Sequence, residues 1–104
     1  GKFWEMHDAL FEKQGEWSQA PNANDLFKTY AADLGLSASK FNDCLDKGTY
    51  AAEVQKDFAD GSAADISGTP GFWVIGKDGK GQSISGAQPF ASFQAVIDAV
   101  LKGA

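Results

Sequence analysis

Ser67-Gly68-Thr69-Pro70-Gly71-Phe72-Trp73-Val74-Ile75-Gly76 is the stretch that decides the fold of this 104-residue chain. Its four consecutive apolar residues, 72–75, are not interrupted by a polar residue, and such runs are typical of strands covered on both faces. Pro70 lacks a backbone N–H, so it suits the first residue of a strand and not its middle. We therefore predict a strand at residues 72–76 that is entered through a glycine- and proline-containing turn.

The residues after this strand predict a hairpin and then a helix. The pair Asp78-Gly79 suits a tight turn, and Ile84 alternates with serines in a second strand, predicted at 82–86. Pro89 suits the first turn of a final helix. Apolar residues recur at helical spacing in that helix, at Phe90, Phe93, Ile97, Val100 and Leu101.

The earlier part of the chain predicts four more helices, so that the expected total is about five helices and one hairpin. Apolar periodicity places these four helices at 3–14, 25–34, 38–47 and 50–59. Gly15, Gly35 and Gly48 are predicted to end the first three helices. Asn24 is predicted to cap the second helix, after a loop from Trp17.

Composition excludes several classes of function. The net charge is −5 and all nine basic residues are lysines, spread singly along the chain, which argues against a nucleic-acid partner. No apolar run approaches the roughly 20 residues of a membrane helix, so no membrane partner is expected. The aspartates lack the spacing of a calcium loop, and no helix carries a histidine–acid ligand spacing. We expect no metal and no cofactor.

The central stretch and its surroundings resemble the DsbA-like thioredoxin-fold family. Ser-Gly-Thr-Pro, the aromatic strand, the glycine-rich turn and Gly86–Phe90 resemble the end of such proteins, whereas Phe3–Asp8, Leu10-Phe11 and Phe41–Asp46 look like the inserted helices. The resemblance implies a truncated α/β thioredoxin-like fold in one partial domain, 1–104. Residues 1–66 would form the helical insertion, and 67–104 the C-terminal ββα part. It also implies a cis Thr69–Pro70 bond and a periplasmic or otherwise exported location.

The chain departs from the family in its cysteines. The family's thiol–disulfide exchange uses a Cys-x-x-Cys at the start of its first helix, whereas this chain contains one cysteine, Cys44. The catalytic segment would be expected before residue 1, so we predict a fragment of a DsbA-like disulfide oxidoreductase that is redox-inactive alone. No catalytic residue is predicted, and whether the chain is an enzyme stays open. The alternative is a non-enzymatic peptide-binding or assembly module.

Gly68, Thr69 and Pro70 are the predicted substrate-binding residues. In the family, the loop before the cis-proline presents backbone groups to an extended polypeptide substrate, and the resemblance transfers this role to these three positions. The alternative is a turn that only opens the strand. The partner expected at this loop is therefore an extended polypeptide substrate.

Other conspicuous side chains are predicted to be structural. Cys44 lies in the middle of a helix and has no adjacent basic residue, so it is predicted to be a small buried hydrophobic residue. His7 shares helical spacing with Phe3 and Phe11, which favours a packed core residue over a general base. Core positions are also predicted for three large aromatic residues, Trp4, Phe72 and Trp73.

The apolar strand needs more sheet partners than this chain offers. A lone hairpin is only marginally stable in water, and an exposed apolar edge invites pairing with another chain. We therefore predict that a second copy completes the sheet, giving a homodimer. The alternative is a monomer in which the helices close over the hairpin.

Overall fold

The structure is a computed structural model that describes residues 1–103. Within this range the chain forms six helices and one two-stranded sheet. In chain order the elements are α1 (Phe3–Glu12), α2 (Gln14–Trp17), α3 (Ala23–Asp33), α4 (Ala38–Asp46), α5 (Ala51–Ala63), β1 (Gly71–Ile75), β2 (Gly81–Ser85) and α6 (Phe90–Gly103).

Two compact units make up the chain. The helical unit, Gly1–Ala52, holds α1 to α4, and the hairpin unit, Glu53–Ala104, holds most of α5 together with both strands and α6. The division therefore lies near the start of α5, before the boundary between residues 66 and 67 that the sequence led us to expect.

The helical unit is organised around α3, which packs against both α1 and α4. Tyr30 and Ala31 on α3 are its buried hydrophobic residues. The Tyr30 hydroxyl donates a 2.6 Å hydrogen bond to Glu16 Oε2, and the Trp17 ring lies edge-on to Phe27 with the centroids 5.4 Å apart. This aromatic cluster joins the short helix α2 to α3.

The hairpin unit pairs β1 with β2 in an antiparallel register, in which Phe72 lies opposite Ile84. Helix α6 packs across both strands. The Phe72 ring meets Phe93 of α6 edge-on, with the ring centroids 5.0 Å apart, and Ile84 is only 7% exposed. Helix α6 thus covers one face of the hairpin.

Two predicted glycine positions are confirmed by their backbone geometry. Gly35 has a φ of +76° and follows α3, and the next N–H, that of Leu36, donates to the Ala31 carbonyl over 3.0 Å. Gly79 has a φ of +78° in the turn between the strands. Both positions use the left-handed region, which glycine enters without a steric penalty from Cβ.

Some predicted boundaries are wrong by a few residues. Gly15 does not end the first helix, because α1 already stops at Glu12 and Gly15 lies inside α2. Asn24 does not cap the second helix, because α3 begins at Ala23 and Asn24 lies inside it. Asn22 precedes the helix and forms no side-chain capping hydrogen bond. Both strands begin one residue early because Gly71 and Gly81 join the ladder through their backbones.

The predicted core positions of the large aromatic residues are wrong for the described chain. Trp4 is 68% exposed, Trp73 43% and Phe72 38%, and the His7 side chain is 44% exposed. The reason is a shortage of cover: among the described residues, α1 packs mainly against α2 and α3, and α6 is the helix that packs across the hairpin. The periodicity identified apolar faces correctly, but these faces do not all meet a partner.

The Tyr30–Glu16 hydrogen bond predicts a stability loss at alkaline pH. Because Glu16 accepts this bond, and because the hydroxyl is desolvated, the pKa of Tyr30 is raised to about 12. A folded-state pKa above the unfolded value of about 10 contributes stability that is complete below pH 10 and is lost as the pH rises towards 12. Urea unfolding at a series of alkaline pH values should show this loss in the wild type. It should be smaller in Tyr30→Phe, whereas the exposed control Tyr50→Phe should retain it.

The first residue of β1 predicts a matched pair of glycine substitutions. A Cβ at Gly71 would lie 2.8 Å from Ile66 Cγ2, whereas a Cβ at Gly68 would meet nothing within 4 Å. Overpacking of this kind typically costs about 1–3 kcal/mol. We expect Gly71→Ala to lower the free energy of unfolding by about that amount in urea melts. Gly68→Ala should leave it nearly unchanged, and equal effects of both substitutions would contradict the close contact.

Candidate functional site

The loop between α5 and β1, residues 67–70, is held at its start by two hydrogen bonds. The Ile66 N–H donates to the Gly61 carbonyl over 2.9 Å, which turns the chain back after α5. Trp73 Nε1 donates to the Ala64 carbonyl over 2.7 Å, so the indole ties the end of the helix to β1. These bonds fix where the loop leaves the helix.

The other end of the loop is part of the strand ladder. The Gly86 N–H donates to the Pro70 carbonyl over 2.9 Å, which continues the β1–β2 pairing by one step. The Thr69–Pro70 peptide bond is cis. Gln88 Nε2 donates to the Ser85 carbonyl over 2.9 Å and closes the neighbouring turn. The loop is therefore anchored on both sides.

The middle of this loop is open. Gly68, Thr69 and Pro70 are all exposed, and the backbone groups of Gly68 and Thr69 form no hydrogen bond with any other part of residues 1–103. Unpaired N–H and C=O groups of this kind can pair with the backbone of an extended peptide. The structure thus brings the three predicted site residues together on one exposed loop.

An apolar cavity of about 380 Å³ adjoins the loop. Phe58 of α5 and Ile66 supply its apolar lining, and the Asp57 carboxylate is a charged group among the lining residues. Sequence analysis missed both Phe58 and Asp57 as site residues. The available signal was the apolar stripe of α5, since Phe58 lies on it one turn before the helix ends.

Cys44 lies in the other unit, on α4. It is half-buried and not fully buried as predicted. It lines a cavity of about 340 Å³ that Lys40 also lines. This lysine was overlooked because it is four residues away in sequence, although that spacing places it on the same side of a helix.

His7 lies between two aromatic rings on α1, edge-on to one and tilted against the other. Its ring centroid is 5.3 Å from that of Trp4 and 5.0 Å from that of Phe11, and its Nδ1 is 3.0 Å from Asp8 Oδ1. It also lines an apolar cavity of about 740 Å³ in the helical unit, together with Tyr50.

Neither metal ligation nor membrane insertion is indicated by the described residues. Among residues 1–103, no three histidine, cysteine, aspartate or glutamate side chains come together as a potential ion site. The helices in the same range lack the combined length and hydrophobicity that a bilayer crossing requires.

Comparisons with known proteins agree with the fold. The profile of the DSBA-like thioredoxin domain matches residues 1–98. Disulfide bond formation protein D of Bacillus subtilis is 33% identical over 79 residues, which cover 72% of this chain and 34% of that protein.

Two further relatives are named as Na(+)/H(+) antiporters. Na(+)/H(+) antiporter NhaA 1 of Salinispora arenicola is 38% identical over 77 residues, covering 74% of this chain and 11% of the antiporter. The antiporter NhaA of Herminiimonas arsenicoxydans is 30% identical over 103 residues, covering 99% of this chain and 15% of its own length.

The chain therefore spans only a small part of each of these relatives. No solved structure matches it significantly. The family match, however, extends over nearly the whole chain and includes the helices, the exposed loop and the hairpin. The resemblance inferred from the sequence is confirmed: this chain belongs to the DSBA-like thioredoxin domain family.

Proposed function

We propose that this chain supplies the substrate-docking part of a DsbA-like thiol–disulfide oxidoreductase, and that the 104 residues alone do not catalyse exchange. The observation that carries the proposal is the exposed loop Gly68–Pro70, whose backbone groups are open beside an apolar cavity. Family membership supports both the docking role and an exported, periplasmic location.

The chemistry of thiol–disulfide exchange supports the proposal that these 104 residues alone do not catalyse it. A thiolate attacks one sulfur of a disulfide, so that a new S–S bond forms as the old one breaks and one thiolate leaves. A second thiol must then attack the mixed disulfide to release the substrate, so a dithiol is oxidised as the substrate is reduced. This chain has one cysteine, and the complete cycle needs a dithiol supplied by other residues or by another chain.

Backbone pairing is the proposed mode of substrate docking. An extended peptide would lie along residues 68–70, and one of its apolar side chains would enter the cavity beside Phe58 and Ile66. The Asp57 carboxylate and the net charge of −5 favour peptides that carry lysine or arginine over acidic ones.

A non-enzymatic peptide-binding module is the second candidate, because the same loop would serve it and the chain has a single cysteine. The two candidates differ in their dependence on a dithiol. A docking part should accelerate disulfide exchange when a Cys-x-x-Cys segment is supplied with it, whereas a binding module should not.

The single cysteine predicts an inactive chain in the insulin-reduction assay with dithiothreitol. The rate of insulin precipitation should equal that of buffer for the wild type and for Cys44→Ser, with a two-cysteine DsbA-like protein as the active control. Acceleration by the wild type that disappears in Cys44→Ser would assign redox activity to Cys44 and contradict the proposal.

The open loop predicts weak binding of an unstructured peptide, for which the S-alkylated B chain of insulin is a suitable probe. In an NMR titration, the amide signals of Gly68 and Thr69 should shift. Gly68→Leu should weaken binding by about fivefold or more, which corresponds to the loss of at least one net hydrogen bond of about 1 kcal/mol. A Cβ at this position would meet nothing within 4 Å inside the chain.

Ser92→Leu is the matched control, because it adds the same side chain at an exposed position on α6. It should bind the peptide as the wild type does. Equal weakening by both variants, or shifts confined to residues outside the loop and its cavity, would place docking elsewhere.

A further inference from the structure

Asp65 lies between the end of α5 and the loop 67–70, and its backbone is left-handed. Its φ is +57°, and within residues 1–103 it is the one non-glycine residue with a positive φ. In this conformation the Cβ of an L-residue crowds the neighbouring carbonyl oxygen, a cost that glycine does not have. Glycine is also the usual left-handed residue after a helix. An aspartate at this position therefore requires an explanation.

Three hydrogen bonds hold Asp65 in this conformation. Its own N–H donates to the Ser62 carbonyl over 3.1 Å, and the next N–H, that of Ile66, donates to the Gly61 carbonyl over 2.9 Å. This pair of bonds closes the C-terminus of the helix. The indole bond to the end of α5, described above, braces the same turn. Residues that are held in unfavourable backbone regions in this way cluster at binding and active sites.

The Asp65 side chain does not account for the conformation through a local contact. Aspartate tolerates the left-handed region when its carboxylate accepts a hydrogen bond from the nearby backbone. The Asp65 carboxylate accepts no hydrogen bond from residues 61–70, and the residue is exposed. The turn therefore fixes the backbone of Asp65 and presents a negative charge to solvent next to the loop.

We propose that Asp65 is a specificity-determining residue of this loop, and that it selects extended peptides with a lysine or arginine beside the docked segment. The inference rests on the proposed docking function of residues 68–70. Asp65 precedes Gly68 by three residues, so their Cα atoms are at most roughly 11 Å apart. A lysine or arginine on a docked peptide has a long flexible stem that can bring its charge towards the carboxylate across this distance.

Asp65 would act on a different part of the peptide from Asp57. Asp57 lines the cavity that is proposed to take an apolar side chain, whereas Asp65 is not among the residues that line it. The preferred peptide would therefore have an apolar residue flanked by a basic one. Because exposed ion pairs are weak, the contribution expected from Asp65 is about two- to fivefold in affinity.

Two capped peptides of glycine and serine residues test the proposal, each with one leucine for the cavity. The first has a lysine on each side of the leucine. The second has acetyl-lysine at both positions, which keeps the stem and removes the charge. In NMR titrations the wild type should bind the lysine peptide more tightly than the acetyl-lysine peptide, and higher salt should reduce this ratio of affinities. In Asp65→Asn the ratio should fall by about two- to fivefold.

Asp98→Asn is the matched control, because it removes the same charge from an exposed position on α6. It should keep the wild-type ratio. An equal fall in both variants would assign the preference to net charge and overturn the proposal. An unchanged ratio in Asp65→Asn would overturn it and leave the docking function standing, whereas a wild type that binds neither peptide would overturn both.

The left-handed backbone allows a second measurement that needs no peptide. Asp65→Gly should raise the urea midpoint, because glycine adopts this conformation without a penalty from Cβ. Asp98→Gly should lower the midpoint, because glycine is unfavourable inside a helix. Asp65→Gly should also lose lysine preference as Asp65→Asn does, and a purely structural residue would not combine higher stability with lower specificity. A midpoint that does not rise in Asp65→Gly would overturn the inference at its starting point.

Discussion

Strand β1 is the element on which the rest of the hairpin unit depends. It is hydrogen-bonded to β2 along one edge and covered by α6 on one face. Helix α6 packs across the hairpin and Phe72 meets Phe93 there. On the opposite face, Trp73 binds the Ala64 carbonyl and so fixes the end of α5. The placement of the loop therefore depends on β1 and on the hydrogen bonds that hold it to the chain before the strand.

The two units differ in how their interiors are built. In the helical unit, the short helix α2 places Glu16 and Trp17 beside α3, so that the Tyr30 hydroxyl has an acceptor and the aromatic rings of Trp17 and Phe27 meet edge-on. In the hairpin unit, Ile84 is the buried hydrophobic residue, and order depends more on the ladder and on single hydrogen bonds to loop carbonyls. A unit with so little buried apolar surface gains little stability from burial, which makes the contacts of β1 important for it.

Function in this family requires chemistry and docking together, and this chain provides residues suited to docking. In the proposed docking role, the open backbone of Gly68 and Thr69 would pair with an extended peptide whatever its sequence. The cavity beside Phe58 and Ile66 would favour an apolar side chain. Cys44 lies on α4 in the helical unit, and Lys40 is its basic neighbour in the cavity. The relatives that share this stretch include one named as a disulfide bond formation protein and one named as an Na(+)/H(+) antiporter.

The sequence by itself determined the order of the elements except for the short helix α2. It also determined the positive φ of Gly35 and Gly79 and the loop before β1, because these follow from local backbone preferences and from the motif around Thr69-Pro70. It also determined that a complete dithiol cycle is not possible within these residues, since one cysteine cannot supply two thiols. Only the tertiary structure decided which apolar faces are covered, because periodicity marks a face as apolar but cannot show whether a partner exists. For the same reason Trp4 and Trp73 were predicted to be core residues, although both are exposed in the described chain. Likewise, the position of Phe58 beside the loop became visible only once α5 and β1 were placed.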